Sequence, residues 1–142
     1  MFDSKNVLYI LTMLEAIEKI FIYSADFENE EKFYLANKQL NFNASVNLLI
    51  AIGEENKKID EELKTSNKIN WKNLSAMRDK VSHNYRGIDE SMVWEIIKDY
   101  LPTLKILLIE MLPKIENSEL YIKEALKTQY YEELHYLIYI YK

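Results

Sequence analysis

Apolar residues recur at steps of three and four from the start of the chain. Val7, Ile10, Leu11, Leu14, Ile17, Ile20 and Phe21 form one such row, the mark of a helix with one buried face. The row predicts a first helix from Asp3 or Ser4 to about Ser24, with Glu15, Glu18 and Lys19 mainly on its wet side. An acidic stretch follows, carrying Asp26, Glu28, Glu30 and Glu31. It reads as a loop or a helix entry, because carboxylates suit a helix start. A second helical pattern covers about Glu31 to Lys58, with a break expected near Asn41 to Asn43. Its apolar side holds Phe42, Val46, Leu49, Ile50 and Ile52. Residues 59–70 are mainly polar and read as a connection.

Asn70 can cap the next helix, which is expected from Trp71 to Val81 or Ser82 with Trp71, Leu74, Met77 and Val81 inward. Trp71 reads as a core anchor in preference to a stacking platform for a base. Asp89 then caps the longest core helix, about Glu90 to Leu112. Met92, Val93, Ile96, Ile97, Tyr100, Leu104, Leu107, Leu108 and Met111 make its stripe, and Pro102 inside it predicts a kink. In the tail, Leu120, Leu126, Tyr130, Leu134, Leu137, Ile138 and Tyr141 recur as an amphipathic helix over 117–142. The dense tyrosines there leave two readings open: a helix added to the bundle, or a dimer or partner contact. His135 falls in the middle of this helix and is not expected to be catalytic.

Composition fits this pattern. The chain has 142 residues, 49% of them hydrophobic, with only two glycines and two prolines. That predicts one all-α domain over 1–142, poor in turns. No cysteine is present and the two histidines are far apart, so neither a metal site nor another cofactor is expected. The first residues lack a signal-peptide pattern, and no apolar run reaches spanning length. A soluble cytoplasmic protein with no membrane contact is the expectation. The formal net charge of −5 counts against broad nucleic-acid affinity. An enzyme of nucleic acid built on this chain needs a local positive cleft, which Arg78, Lys80 and Arg86 can supply.

The candidate chemistry gathers in Arg78-Asp79-Lys80-Val81-Ser82-His83-Asn84-Tyr85. The chain has two arginines, Arg78 and Arg86, and one of its two histidines is His83. Arginine offers a rigid, permanently charged fork that matches phosphate. Histidine exchanges a proton near neutral pH. Together they suit cleavage of a phosphodiester without metal, the 2′-hydroxyl of RNA serving as nucleophile. A plain helix end, in which His83 caps a carbonyl and Arg78 pairs with an acid, is the structural alternative. On a straight helix, positions five apart point roughly 140° away from each other. The helix is therefore expected to end or bend between Arg78 and His83, or a second subunit to supply one of them. Gly53 lies inside a helical pattern, where glycine costs about 1 kcal/mol against alanine. Close approach of another helix is a reason for it. Glu54 beside it either holds Arg78 in place or faces water.

Ile52-Gly53-Glu54, Ile69-Asn70-Trp71, Met77-Arg78, Val81 to Tyr85, Gly87-Ile88-Asp89, Val93 to Ile97 and Leu101-Pro102 together resemble the HepT-like HEPN family. The likeness runs over roughly residues 45–112 and more weakly over the first helix. These are small helical ribonuclease toxins encoded beside a minimal nucleotidyltransferase. The resemblance implies an antiparallel HEPN-type helical bundle, to which 117–142 adds an extra C-terminal helix. The family's Arg-x4-His-x-Tyr signature maps onto Arg78, His83 and Tyr85 without a gap. The asparagine that often follows the arginine is Asp79 here. The resemblance implies that His83 is general acid or base, that Arg78 stabilises the scissile phosphate, and that Asp79, Asn84 and Arg86 support the substrate. It also implies a homodimer with the motifs facing a shared cleft. The cognate nucleotidyltransferase would act as antitoxin, transferring AMP groups onto Tyr85. Neutralisation by modification, by burial in a complex, or by both stays open. A reading from another class also stands: a non-catalytic helical module that binds and supports the nucleotidyltransferase.

Overall fold

The computed structural model describes residues 1–83 and 89–141, with His83 described by its backbone alone. The elements in order are α1 (Asn6–Ser24), α2 (Glu30–Leu35), α3 (Leu40–Glu55), α4 (Glu61–Thr65), α5 (Trp71–His83), α6 (Glu90–Glu95), α7 (Leu101–Met111) and α8 (Ser118–Ala125). A final segment, Gln129–Tyr141, winds as a 3₁₀ helix. No strand occurs among the described residues; Phe2 and Ile115 form an isolated parallel bridge. The fold is all-α.

Helix α1 is the axis. Val7, Ile10, Leu11, Leu14, Ile17 and Ile20 expose none of their surface. Burying each such side chain stabilises the fold by about 1.5–3 kcal/mol before entropy is subtracted. α1 packs most extensively on α3, and α3 in turn packs on α5. α7, α8 and the C-terminal segment close the other sides of α1. The start of α1 is clasped to the chain before α4. Asn6 Nδ2 donates to Asp60 Oδ2 at 3.2 Å, Asp60 N donates to Asn6 Oδ1 at 3.0 Å, and Lys5 pairs with Asp60 at 3.2 Å.

Several expectations need correction. Glu15 is not on a wet face: it is 94% buried, beneath the C-terminal segment that folds back on α1. Glu18 is likewise covered and meets Lys105 of α7 at 2.8 Å. The break in the second helical pattern lies earlier than Asn41. Asn37, Lys38 and Gln39 take positive φ, which ends α2 and starts α3. Asn tolerates that conformation through local hydrogen bonds, and Asn37 Nδ2 donates to Asn41 Oδ1 at 2.8 Å. The polar connection 59–70 contains the short helix α4, held down by Ile59, Leu63 and Ile69, all buried.

The predicted kink at Pro102 takes a specific form. Proline has no N–H to give back along the helix, and its ring crowds the carbonyl four residues earlier. The backbone widens into a π turn over Ile96–Tyr100 just before it, and Leu101 N donates to Ile96 O. Asp89 caps α6 as expected, its carboxylate accepting from Ser91 N at 2.9 Å and Met92 N at 3.4 Å.

The tail is not one continuous helix. α8 ends near Ala125 and the 3₁₀ segment carries a non-helical residue at Tyr131. Leu134 and Leu137 are fully buried, with Tyr131 and Ile140 packed partly against the core. That spacing of three is the period of a 3₁₀ helix, in which residues i and i+3 eclipse. Tyr130 and Ile138, placed on the stripe by a period of 3.6, are exposed instead. His135 is exposed on the same segment.

Candidate active site

The site is built where α3 and α5 cross. Gly53 is buried on α3, and Arg78 of α5 lies directly over it. A methyl group at position 53 would come within 2.6 Å of Arg78 Cγ and closer still to its Cβ. The absence of a side chain at Gly53 is what lets the helices approach here.

Glu54, the next residue on α3, forms an ion pair with Arg78 Nε. Asp79 Oδ1 accepts from Arg78 Nη1 at 3.2 Å. Glu54 also meets Lys57 at 3.7 Å. Of the two readings of Glu54, the structure selects the one in which it holds Arg78. The side chain of Arg78 is 27% exposed, so its charge is anchored and still reaches solvent. Arginine has five N–H donors, which leaves donors beyond these two pairs for an anion.

Asn56, which the sequence reading passed over, fixes the end of α3 at this crossing. Its side chain is almost wholly buried, and its amide donates to Gly53 O and, at 3.5 Å, to Ser75 Oγ of α5. A buried amide must find such partners or lose about 1–3 kcal/mol. An asparagine in a last helical turn carries no distinctive signal, which is why it escaped notice.

α5 runs unbroken from Trp71 to His83. The expected end or bend between Arg78 and His83 is therefore absent. The inward row of Leu74, Met77 and Val81 keeps the helix seated on the core through that stretch. Arg78 and position 83 share one rod, about 140° apart around its axis. Asn84, Tyr85 and Arg86 lie outside the described residues, as does the side chain of His83. Lys80, the further cation of the motif, is exposed on α5.

Asp79 marks one end of an open groove of about 940 Å³ along α5, bounded by α4 and the loop after it. Trp71 forms part of its wall. The indole packs partly against the core, and its Nε1 donates to Lys64 O at 3.1 Å. Asn70 caps α5 as expected, accepting from Asn73 N at 3.0 Å. Among the described residues no group of three or more His, Cys, Asp or Glu converges as a metal site. No helix among them is long and apolar enough to cross a membrane.

Comparison with known proteins gives the same direction. Residues 13–111 match the model of the family described as Ribonuclease HepT-like. The chain is 34% identical over 98 residues to "Probable ribonuclease HepT" of Thermococcus cleftensis, covering 68% of this chain and 86% of that protein. It is 34% identical over 118 residues to "Putative RNase MJ1216" of Methanocaldococcus jannaschii, covering 82% and 93% respectively. "Putative RNase MJ0125" of the same organism is 35% identical over 104 residues, covering 72% and 85%. No solved structure matches the chain. With most of its helical core inside the matched span, the chain belongs to the HepT-like ribonuclease family.

Proposed function

We propose that this protein is a metal-independent endoribonuclease, the toxin of a HepT-type toxin–antitoxin pair acting in the cytoplasm. One observation carries the reading: Arg78 is seated on Gly53, steered by Glu54 and Asp79, and still reaches solvent. The two carboxylates hold the guanidinium in one orientation, and donors fixed in advance stabilise charge growing on a phosphoryl oxygen. In the reaction the 2′-oxygen attacks the adjacent phosphorus and the bond to the 5′-oxygen breaks. One proton leaves the 2′-hydroxyl and one arrives on the departing oxygen; His83 moves one of them as general base or acid. Arg78 neutralises the phosphorane between. Asp79 holds the guanidinium, and Asn84 and Arg86 orient the strand beside it.

Incubation of RNA with the protein in EDTA tests this directly. Cleavage should persist for the native chain and fall by at least about a hundredfold in His83→Ala and Arg78→Ala. Equal cleavage by all three would leave the non-catalytic binding module as the better account.

Tyr85 is the proposed point of control. A cognate minimal nucleotidyltransferase would transfer AMP from ATP to its hydroxyl, the phenolic oxygen bonding to the α-phosphorus as pyrophosphate and the phenolic proton leave. Each added phosphate brings negative charge into the Arg78–Tyr85 motif, where it would compete with RNA for the same cations. Intact-mass measurement after incubation with the partner and ATP should show added AMP on the native chain and none on Tyr85→Phe.

A further inference from the structure

The groove that ends at Asp79 differs in charge from the rest of the molecule. The whole chain carries −5. The groove is lined by Lys57, Lys64, Lys68 and Lys72 against two carboxylates, Glu61 and Asp79. Lys57 and Lys64 are partly satisfied, by Glu54 at 3.7 Å and Glu61 at 3.6 Å. Lys68 and Lys72 are exposed and make no ion pair among the described residues. Two cations therefore face the groove uncompensated.

The walls of the groove are fixed. The loop bearing Lys68 is tied to the body on both sides. Asn67 Nδ2 donates to Leu107 O at 3.0 Å and Lys114 Nζ to Ser66 O at 2.7 Å. Ile69 N donates to Asn67 Oδ1 at 2.6 Å. Trp71, anchored through its Nε1 and with the Lys64 ammonium 5.5 Å over its ring, stiffens the wall at the start of α5. Lys72, Ala76 and Asp79 follow one another along α5 at steps of four and three, and position 83 continues that row. From Lys72 to Asp79 the helix rises roughly 10 Å.

Uncompensated cations along a fixed wall, with Asp79 at one end, suit a flexible polyanion. We propose, resting on the ribonuclease reading above, that this groove is the track for the single-stranded RNA flanking the cut. Lys68 and Lys72 contact its backbone phosphates, and the strand runs along α5 past Asp79 toward position 83.

The test uses the full-length chain. Binding of a fluorescent single-stranded RNA is measured in the uncleaving His83→Ala background, with and without Lys68→Ala/Lys72→Ala. Each phosphate contact to a single strand contributes about 0.7 to the slope of log affinity against log salt. Losing two should make the decline in affinity between about 50 and 200 mM salt roughly sevenfold shallower. With His83 present, the double variant should raise KM about tenfold and leave kcat within about twofold, the sign of lost uniform binding. Lys123→Ala/Lys127→Ala, on α8 and just beyond its end, changes net charge equally and should alter neither quantity. Unchanged salt slope and KM in the groove variant, with native RNA cleavage intact, would overturn the track and leave the ribonuclease standing. So would intact RNA binding with loss of a protein partner, which would make the groove a protein interface. If the native chain neither binds nor cuts RNA, the ribonuclease reading falls and the track falls with it.

Discussion

At the scale of single residues, two positions do more than their type suggests. Gly53 costs helix stability, and alanine there would regain about 1 kcal/mol of propensity. The new methyl group would collide with Arg78 Cβ and Cγ, atoms too close to the backbone to swing aside. Overpacking of this kind costs about 1–3 kcal/mol, so α3 and α5 must part. Gly53→Ala should lose up to about 2 kcal/mol net in urea unfolding, and RNA cleavage should drop about tenfold or more as Arg78 moves. A variant as stable as the native chain would show that the crossing is looser than drawn. Glu15 is the second case. Burial raises its pKa above the ordinary 4.5, with Lys19 and a hydrogen bond from Tyr130 opposing the shift without cancelling it. The folded state thus holds the proton more tightly than the unfolded one. The stability this gives is complete below the unfolded pKa and is lost as pH rises through the folded one. At neutral pH the carboxylate is a buried charge at a cost. Glu15→Gln keeps an acceptor for Tyr130 and removes the charge. Its melting temperature should exceed the native value at pH 7, and the gain should vanish near pH 4. A lower melting temperature at pH 7 would mean that Lys19 outweighs burial.

At the scale of elements, the sequence was most informative where one period ran long. The row of α1 and the stripe from Met92 to Met111 are helical as read, because apolar steps of three and four mark one buried helix face, and a π turn enters the stripe only at Ile96–Tyr100 before Pro102. Caps were legible at Asn70 and Asp89, where a short polar side chain precedes a helical pattern. Short elements were not: α4 is too brief to show a period, and only Ile59, Leu63 and Ile69 marked it. Burial imposed by distant chain was invisible too. Nothing near Glu15 announces that Gln129–Tyr141 will fold over it. At the site, the identity of Arg78 and His83 was readable and their placement was not, since the continuity of α5 depends on packing beneath it. The C-terminal segment allows a sharp check of its period. Leu137→Ala should cost about 2–4 kcal/mol in denaturant unfolding, because Leu137 is fully buried. Ile138→Ala, next to it and 38% exposed, should stay within about 0.5 kcal/mol. Comparable costs at the two positions would restore the 3.6-residue stripe.

At the scale of the whole molecule, the unbroken α5 constrains how Arg78 and His83 cooperate. A straight rod that sets the two positions about 140° apart around its axis does not by itself turn both toward one phosphate within a single chain. Two copies related by a two-fold axis can. The axis would bring Arg78 of one protomer opposite position 83 of its partner, and the same operation would make a second, equal site. Mixing inactive chains tests this. Arg78→Ala keeps its histidine and His83→Ala keeps its arginine. If each site draws one group from each chain, a mixed dimer contains one intact pair and one pair missing both groups. Random exchange of equal amounts makes about half the dimers mixed, so about a quarter of native RNA cleavage should return. If each chain supplies both groups of its own site, every pair in the mixture lacks one member and no activity returns. The experiment separates the two geometries without any knowledge of which RNA is the natural substrate.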